Sequence, residues 1–146
     1  TENNIGLSDV LAGTSVLSDV VSTVPNVGFD YIPRGQVPPN PAELLMHKNF
    51  EILLNNVSSQ YDLVIVDTPP ILAVTDAAII GRYAGTTLIV ARFEKDTVKE
   101  ISVSFKRFEQ SGTVVKGCII NGIVKKASSY YGYGYSHYGY SYSDKK

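Results

Sequence analysis

Residues 63–66 read Leu-Val-Ile-Val, four branched aliphatic side chains in succession, with Tyr61-Asp62 before them and Asp67 after. Successive side chains on a strand point to opposite faces, so an unbroken apolar run requires cover on both sides. That is the demand of a central strand in a parallel sheet with helices above and below it. The flanking sequence supplies the other elements. Residues 27–32, apolar and bounded by Pro25 and Pro33, read as a strand. Residues 42–57 place Leu44, Leu45, Ile52, Leu53 and Val57 near helical spacing, with Asn40 as N-cap, Pro41 at the first helical position and Glu43 in the first turn. Residues 75–80 form a short helical stretch ended by Gly81, and residues 87–91 a second buried strand. Residues 96–110 set Val98, Ile101, Phe105 and Phe108 on one helical side, closed by Gly112, and residues 115–123 supply the last strand. Two weaker helical segments, residues 7–11 and 16–21, come first. Alternating strands and helices in such units predict an α/β fold with a parallel sheet and right-handed crossovers.

The chain has 146 residues, 44% of them hydrophobic, enough for one domain with a core. Its net charge of −1 argues against a general electrostatic nucleic-acid binder. With one cysteine, no intrachain disulfide can form, which fits a reducing compartment. Cys118, in the apolar run Gly117-Cys118-Ile119-Ile120, is expected to be a small buried residue. One cysteine with His47 and His137 makes a zinc site a poor fit. No apolar stretch approaches the roughly 20 residues of a membrane-spanning helix, and no signal peptide is visible.

Periodicity stops after Lys126, which divides the chain into a body, residues 1–126, and a tail, residues 127–146. Seven of the ten tyrosines stand in that tail, at Tyr130, Tyr131, Tyr133, Tyr135, Tyr138, Tyr140 and Tyr142, spaced by glycine and serine. Such spacing predicts a disordered segment with accessible phenols, either phosphate acceptors or a sticky aromatic low-complexity stretch.

Within the body the sharpest chemical signal is Asp67-Thr68-Pro69-Pro70. The carboxylate stands at the carboxyl end of the apolar run, where open α/β sheets bind ligands. An acid at that place helps hold Mg²⁺ against nucleotide phosphates in P-loop NTPases; it could also simply cap a turn. Asn121-Gly122 after the last strand is a common turn dipeptide.

The stretch from Gly35-Gln36-Val37-Pro38-Pro39-Asn40-Pro41 through Asp67-Thr68-Pro69-Pro70, Thr75-Asp76-Ala77-Ala78 and Gly117-Cys118-Ile119-Ile120-Asn121-Gly122 to the Tyr/Gly tail resembles the bacterial tyrosine kinases. The resemblance is strongest to the Wzc-type autokinases of capsular and exopolysaccharide export. It implies a P-loop NTPase-like domain related to MinD and ParA, using ATP and Mg²⁺, with Asp67 as the Walker B acid. Asn121 stands where related folds place an adenine-edge residue, a reading held level with its turn role. The tail tyrosines would be phosphorylated by a neighbouring subunit. The implied partners are further copies of the kinase, a cognate tyrosine phosphatase and the polysaccharide polymerisation and export machinery. The implied location is cytoplasmic, on the inner face of the bacterial inner membrane for the full-length parent. None of the twelve glycines is followed by lysine, so no G-x-x-x-x-G-K-[ST] cradle is present. The chain therefore reads as the C-terminal part of the kinase domain, lacking its P-loop portion and inactive by itself. A partitioning-type switch ATPase, which needs no phosphate acceptors, and a non-catalytic Tyr-rich interaction module are the competing readings.

Overall fold

The computed structural model describes residues 5–124. Two short helices, α1 (Leu7–Ala12) and α2 (Leu17–Val20), lead into β1 (Ser22–Val24) and β2 (Phe29–Tyr31). These strands pair antiparallel, Ser22 opposite Tyr31 and Val24 opposite Phe29. The strand expected over residues 27–32 is thus shortened and belongs to a hairpin of its own. The cause lies in the connection, where Asn26 at φ 64° and Gly28 at φ 80° turn the chain back on itself.

The single helix expected over residues 42–57 is two helices, α3 (Pro41–Met46) and α4 (Lys48–Gln60), broken at His47. His47 is extended (φ −71°, ψ 147°), and its imidazole Nδ1 accepts from the Asn49 amide at 3.3 Å, capping the second helix. Asn40 does stand before Pro41, but its side-chain amide donates to Glu43 Oε2 at 2.8 Å and caps no backbone N–H. The break lets both helices present apolar residues to one interior. Leu45, Phe50, Leu53 and Val57 pack there with Leu11 of α1 and with Ile79 and Ile80 of α5 (Asp76–Gly81). Phe50 also meets the Tyr83 ring edge-on, centroids 5.5 Å apart.

The remaining elements form one β-α-β unit. β3 (Thr87–Arg92) and β4 (Val115–Asn121) run parallel, joined through α6 (Val98–Gln110). The start of α6 is fixed by a reciprocal capping box. Thr97 Oγ1 accepts from the Glu100 amide at 3.2 Å, and Glu100 Oε2 accepts from the Thr97 amide at 2.8 Å. Phe108 of α6 is buried with Ile71 and Ala77, and Ile89 and Val115 pack against this cluster.

Residues 63–66 depart most from expectation. They are extended but belong to no sheet among the described residues; the face of Leu63 and Ile65 is open, at 74% and 81%, and Val64 and Val66 on the other are exposed at 37% and 36%. An aliphatic run becomes a central strand only when neighbouring strands and covering layers are supplied, and the described residues supply none here. Cys118 is likewise exposed, not buried, because the sheet around it has two strands and is only partly covered.

Candidate functional site

Asp67 closes the apolar run, and its carboxylate is exposed with no hydrogen bond or ion pair to any described residue. The local backbone is equally unengaged, since no backbone hydrogen bond among the described residues involves residues 63–69. Pro69 and Pro70 have no N–H to offer. The segment carrying Asp67 is therefore suspended between two fixed points.

The upstream point is Tyr61. Its amide continues α4 by donating to the Val57 carbonyl at 3.0 Å, and its phenol donates to Asp30 Oδ2 at 2.7 Å. Thr23 Oγ1 donates to the other oxygen of the same carboxylate at 2.6 Å. The Thr23 hydrogen bond, then that of Tyr61, holds the Asp30 carboxyl below its ordinary range. The bond to Asp30 in turn raises the Tyr61 phenol above its own. The β1–β2 hairpin is thereby tied to the start of the run.

The downstream point is at residues 70–74. The amides of Ala73 and Val74 donate to the Pro70 carbonyl at 2.9 and 3.3 Å, closing a turn. Ile71 is buried against Phe108. Arg107 Nη1, from α6, donates to the carbonyls of Ile71 at 2.9 Å and Leu72 at 3.1 Å. Neither tether is legible in sequence. An arginine in the last turn of a helix reads as a partner for the helix dipole, and Tyr61 as part of the strand pattern.

Asn121 ends β4 opposite Arg92 of β3. Its side-chain oxygen accepts from the Gly122 amide at 2.8 Å, and Gly122 has φ 73°. The described geometry thus has the side chain of Asn121 engaged in its local turn, and no hydrogen bond joins it to Asp67. Tyr130, Tyr131, Tyr133, Tyr135, Tyr138, Tyr140 and Tyr142 lie outside the described residues, as does the boundary expected after Lys126. No helix among the described residues is long and apolar enough to cross a membrane.

An α/β body with a β-α-β unit and an exposed carboxylate closing an extended aliphatic run is the class of molecule these observations define. No family model matches the sequence. Individual proteins do. A Klebsiella pneumoniae protein named as a tyrosine-protein kinase in the cps region is 61% identical over 145 residues, 99% of this chain and 20% of the relative. Tyrosine-protein kinase wzc of Salmonella typhimurium is 56% identical over 135 residues, 92% of this chain and 19% of the relative. The solved kinase domain of Escherichia coli tyrosine kinase ETK superposes with a TM-score of 0.83 at 54% identity, covering 92% of this chain and 53% of that one. The chain belongs with the bacterial tyrosine kinases of the Wzc and Etk kind and corresponds to a segment of their kinase domain. It spans about one fifth of the curated relatives it matches.

Proposed function

We propose that this chain is part of an ATP-dependent protein tyrosine autokinase in which Asp67 is the Mg²⁺-side carboxylate and the tail tyrosines are the acceptors. The observation that carries this reading is the Asp67 carboxylate, exposed and without a partner among the described residues at the end of an aliphatic run, in a chain 54–61% identical to proteins named as tyrosine kinases. The donor chemistry fits the cation. Mg²⁺ takes hard oxygen ligands, retains waters and commonly needs only one or two carboxylates beside substrate phosphates. Among the described residues no three His, Cys, Asp or Glu side chains are grouped to hold a metal ion, so Asp67 would contribute one ligand to a shell shared with phosphates and waters. When bound, MgATP supplies the transferable phosphoryl group with its charge partly neutralised.

The residues of this chain orient and accept. Asp67 offers two oxygens with no internal competitor, and the two prolines after it keep the exit extended. Each tail phenol would give up its proton as its oxygen takes the phosphoryl group, gaining about 1.5–2 negative charges. A phosphate cradle would have to come from sequence with a Gly-Lys step, so this chain by itself is expected to be inactive. In this reading the lineage is that of the P-loop NTPases, with residues 1–126 as kinase domain and 127–146 as acceptor tail. Phosphorylation passes between copies in an oligomer, is reversed by a cognate phosphatase, and regulates polysaccharide polymerisation and export at the cytoplasmic face of the inner membrane.

The test is Asp67→Asn in the full-length kinase carrying this segment. Removing a charge that stabilises phosphoryl transfer should lower turnover by about 10²–10³-fold. Stability should hold, because among the described residues the carboxylate has no partner to lose. Near-normal phosphotyrosine formation in the folded variant would remove Asp67 from the site.

A further inference from the structure

On its downstream side the Asp67 segment meets the Ile71–Ala77–Phe108 cluster and a guanidinium from α6. Between Tyr61 and Ile71 no backbone hydrogen bond holds the chain at residues 63–69, and Pro69 and Pro70 cannot donate one. The first fixed atoms after Asp67 are those of Pro70 to Val74. They are fixed by their own turn, in which the Ala73 and Val74 amides donate to the Pro70 carbonyl, by Ile71 buried with Ala77 and Phe108, and by Arg107 Nη1 donating to the Ile71 and Leu72 carbonyls at 2.9 and 3.1 Å. The two contacts from α6 come from consecutive residues, Arg107 and Phe108, of one 13-residue helix with a capping box at its start. The guanidinium is charged at every physiological pH, and hydrogen bonds from a charged donor are the stronger kind. Asp67 is only four residues from this clamp but six from the Tyr61 tether.

We infer that Arg107 is a positioning residue for Asp67: by clamping the carbonyls of residues 71 and 72 to α6, it sets where the strand-end carboxylate can stand. This rests on the reading of Asp67 as the Mg²⁺-side acid. Groups that orient a metal ligand from behind commonly change metal affinity by about 10–100-fold when removed. The expected signature is a loss in metal requirement more than in chemistry. The Arg107 side chain is itself exposed, so truncating it should leave the fold in place.

The experiment compares Arg107→Ala, Arg107→Lys and Asp67→Asn in the full-length kinase carrying this segment. In metal-free protein, amide hydrogen exchange is followed over residues 70–75. Arg107→Ala should expose the Ala73 and Val74 amides, raising their exchange about tenfold as the local opening becomes easier. The Mg²⁺ concentration for half-maximal autophosphorylation should rise about tenfold. kcat at saturating Mg²⁺ should stay within about twofold. Arg107→Lys, with one ammonium able to donate to both carbonyls, should restore most of both effects. Unchanged exchange in Arg107→Ala would overturn the clamp. Faster exchange with an unchanged Mg²⁺ requirement would overturn its positioning role. Full activity in Asp67→Asn would instead sink the metal reading beneath it, whereas an inactive Asp67→Asn beside an Arg107→Ala of wild-type Mg²⁺ dependence would sink this proposal alone.

Discussion

The helical side of the molecule is closed and the sheet side is open. Phe50 is 1% exposed, enclosed by residues of α1, α3, α4 and α5, while Ile65, of comparable apolarity, is 81% exposed on an extended segment that pairs with no strand among the described residues. β3 shows the same contrast within one strand. Ile89 packs toward α6, but Leu88 and Val90 on the opposite face are exposed. Parallel sheets persist when both faces are covered, so one face here lacks a layer. The chain spans 53% of the ETK kinase domain it superposes on. The uncovered faces are where the rest of such a domain is expected to pack. Apolar pattern thus reports the environment a residue is built for, and for residues 63–66 and for Leu88 and Val90 of β3 the described residues do not supply it.

The largest test of this contrast is Phe50→Ala. It should cost about 3–5 kcal/mol in a urea unfolding experiment, as for other large-to-small core changes. Ile65→Ala in the same chain should stay within about 0.5 kcal/mol, the range of surface substitutions. Made in the full-length kinase carrying this segment, Ile65→Ala should cost about 2–5 kcal/mol, because the side chain would then be buried. Equal costs at Ile65 in both settings would break the comparison.

A smaller effect separates two glycines of the same backbone conformation. Gly35, at φ 79°, sits where the amides of Leu7 and Ser8 dock on the Pro33 and Arg34 carbonyls, and a Cβ there would collide with Ser8 and Asp9. Gly112, at φ 80° beyond the end of α6, has open space around it. Gly35→Ala should therefore exceed the roughly 1–2 kcal/mol of left-handed strain that Gly112→Ala alone incurs. Thermal unfolding of the pair measures the difference, and equal losses would mean the α1 docking is loose. Thr97→Ala, which removes the α6 cap, should cost about 1 kcal/mol.

What could be read from the sequence follows the same division. The β-α-β unit was legible because β3, α6 and β4 satisfy their own rules locally, through the apolar spacing of α6, its closing Gly112 and the branched strands. The helix break at His47 was not, since its neighbours have helical spacing straight through it and only the packing of Leu45 and Phe50 into one interior selects the bend. Residues 63–66 announced a buried central strand and are uncovered, because cover is a property of other segments. Asp67 was expected at the end of a strand and stands at the end of an extended, unpaired run. Its two tethers were not legible, because Arg107 reaches a loop 35 residues away and Tyr61 a hairpin 31 residues away, and no local pattern encodes such pairs.

The smallest effect concerns the upstream tether and is visible only against pH. Asp30 is held below the ordinary carboxylate range by Thr23 and then Tyr61, so the folded state takes up its proton less readily than the unfolded chain. Its contribution is present above the unfolded carboxyl value and is lost as pH falls through the folded one. Tyr61 is shifted upward by its bond to Asp30, so its contribution is present below the ordinary phenol value and lost as pH rises through the folded one. The clasp therefore operates from mildly acidic to mildly alkaline conditions and fails at both ends. Both groups are solvent-exposed, so the gain in melting temperature should be small and salt-sensitive. Tyr61→Phe keeps the ring and the Thr23 bond while deleting the phenol. The melting-temperature difference between wild type and Tyr61→Phe should be greatest near neutrality and shrink toward both pH extremes. A difference constant across that range would mean that Tyr61 acts through ring packing and that its bond to Asp30 contributes nothing to holding the hairpin against the Asp67 segment.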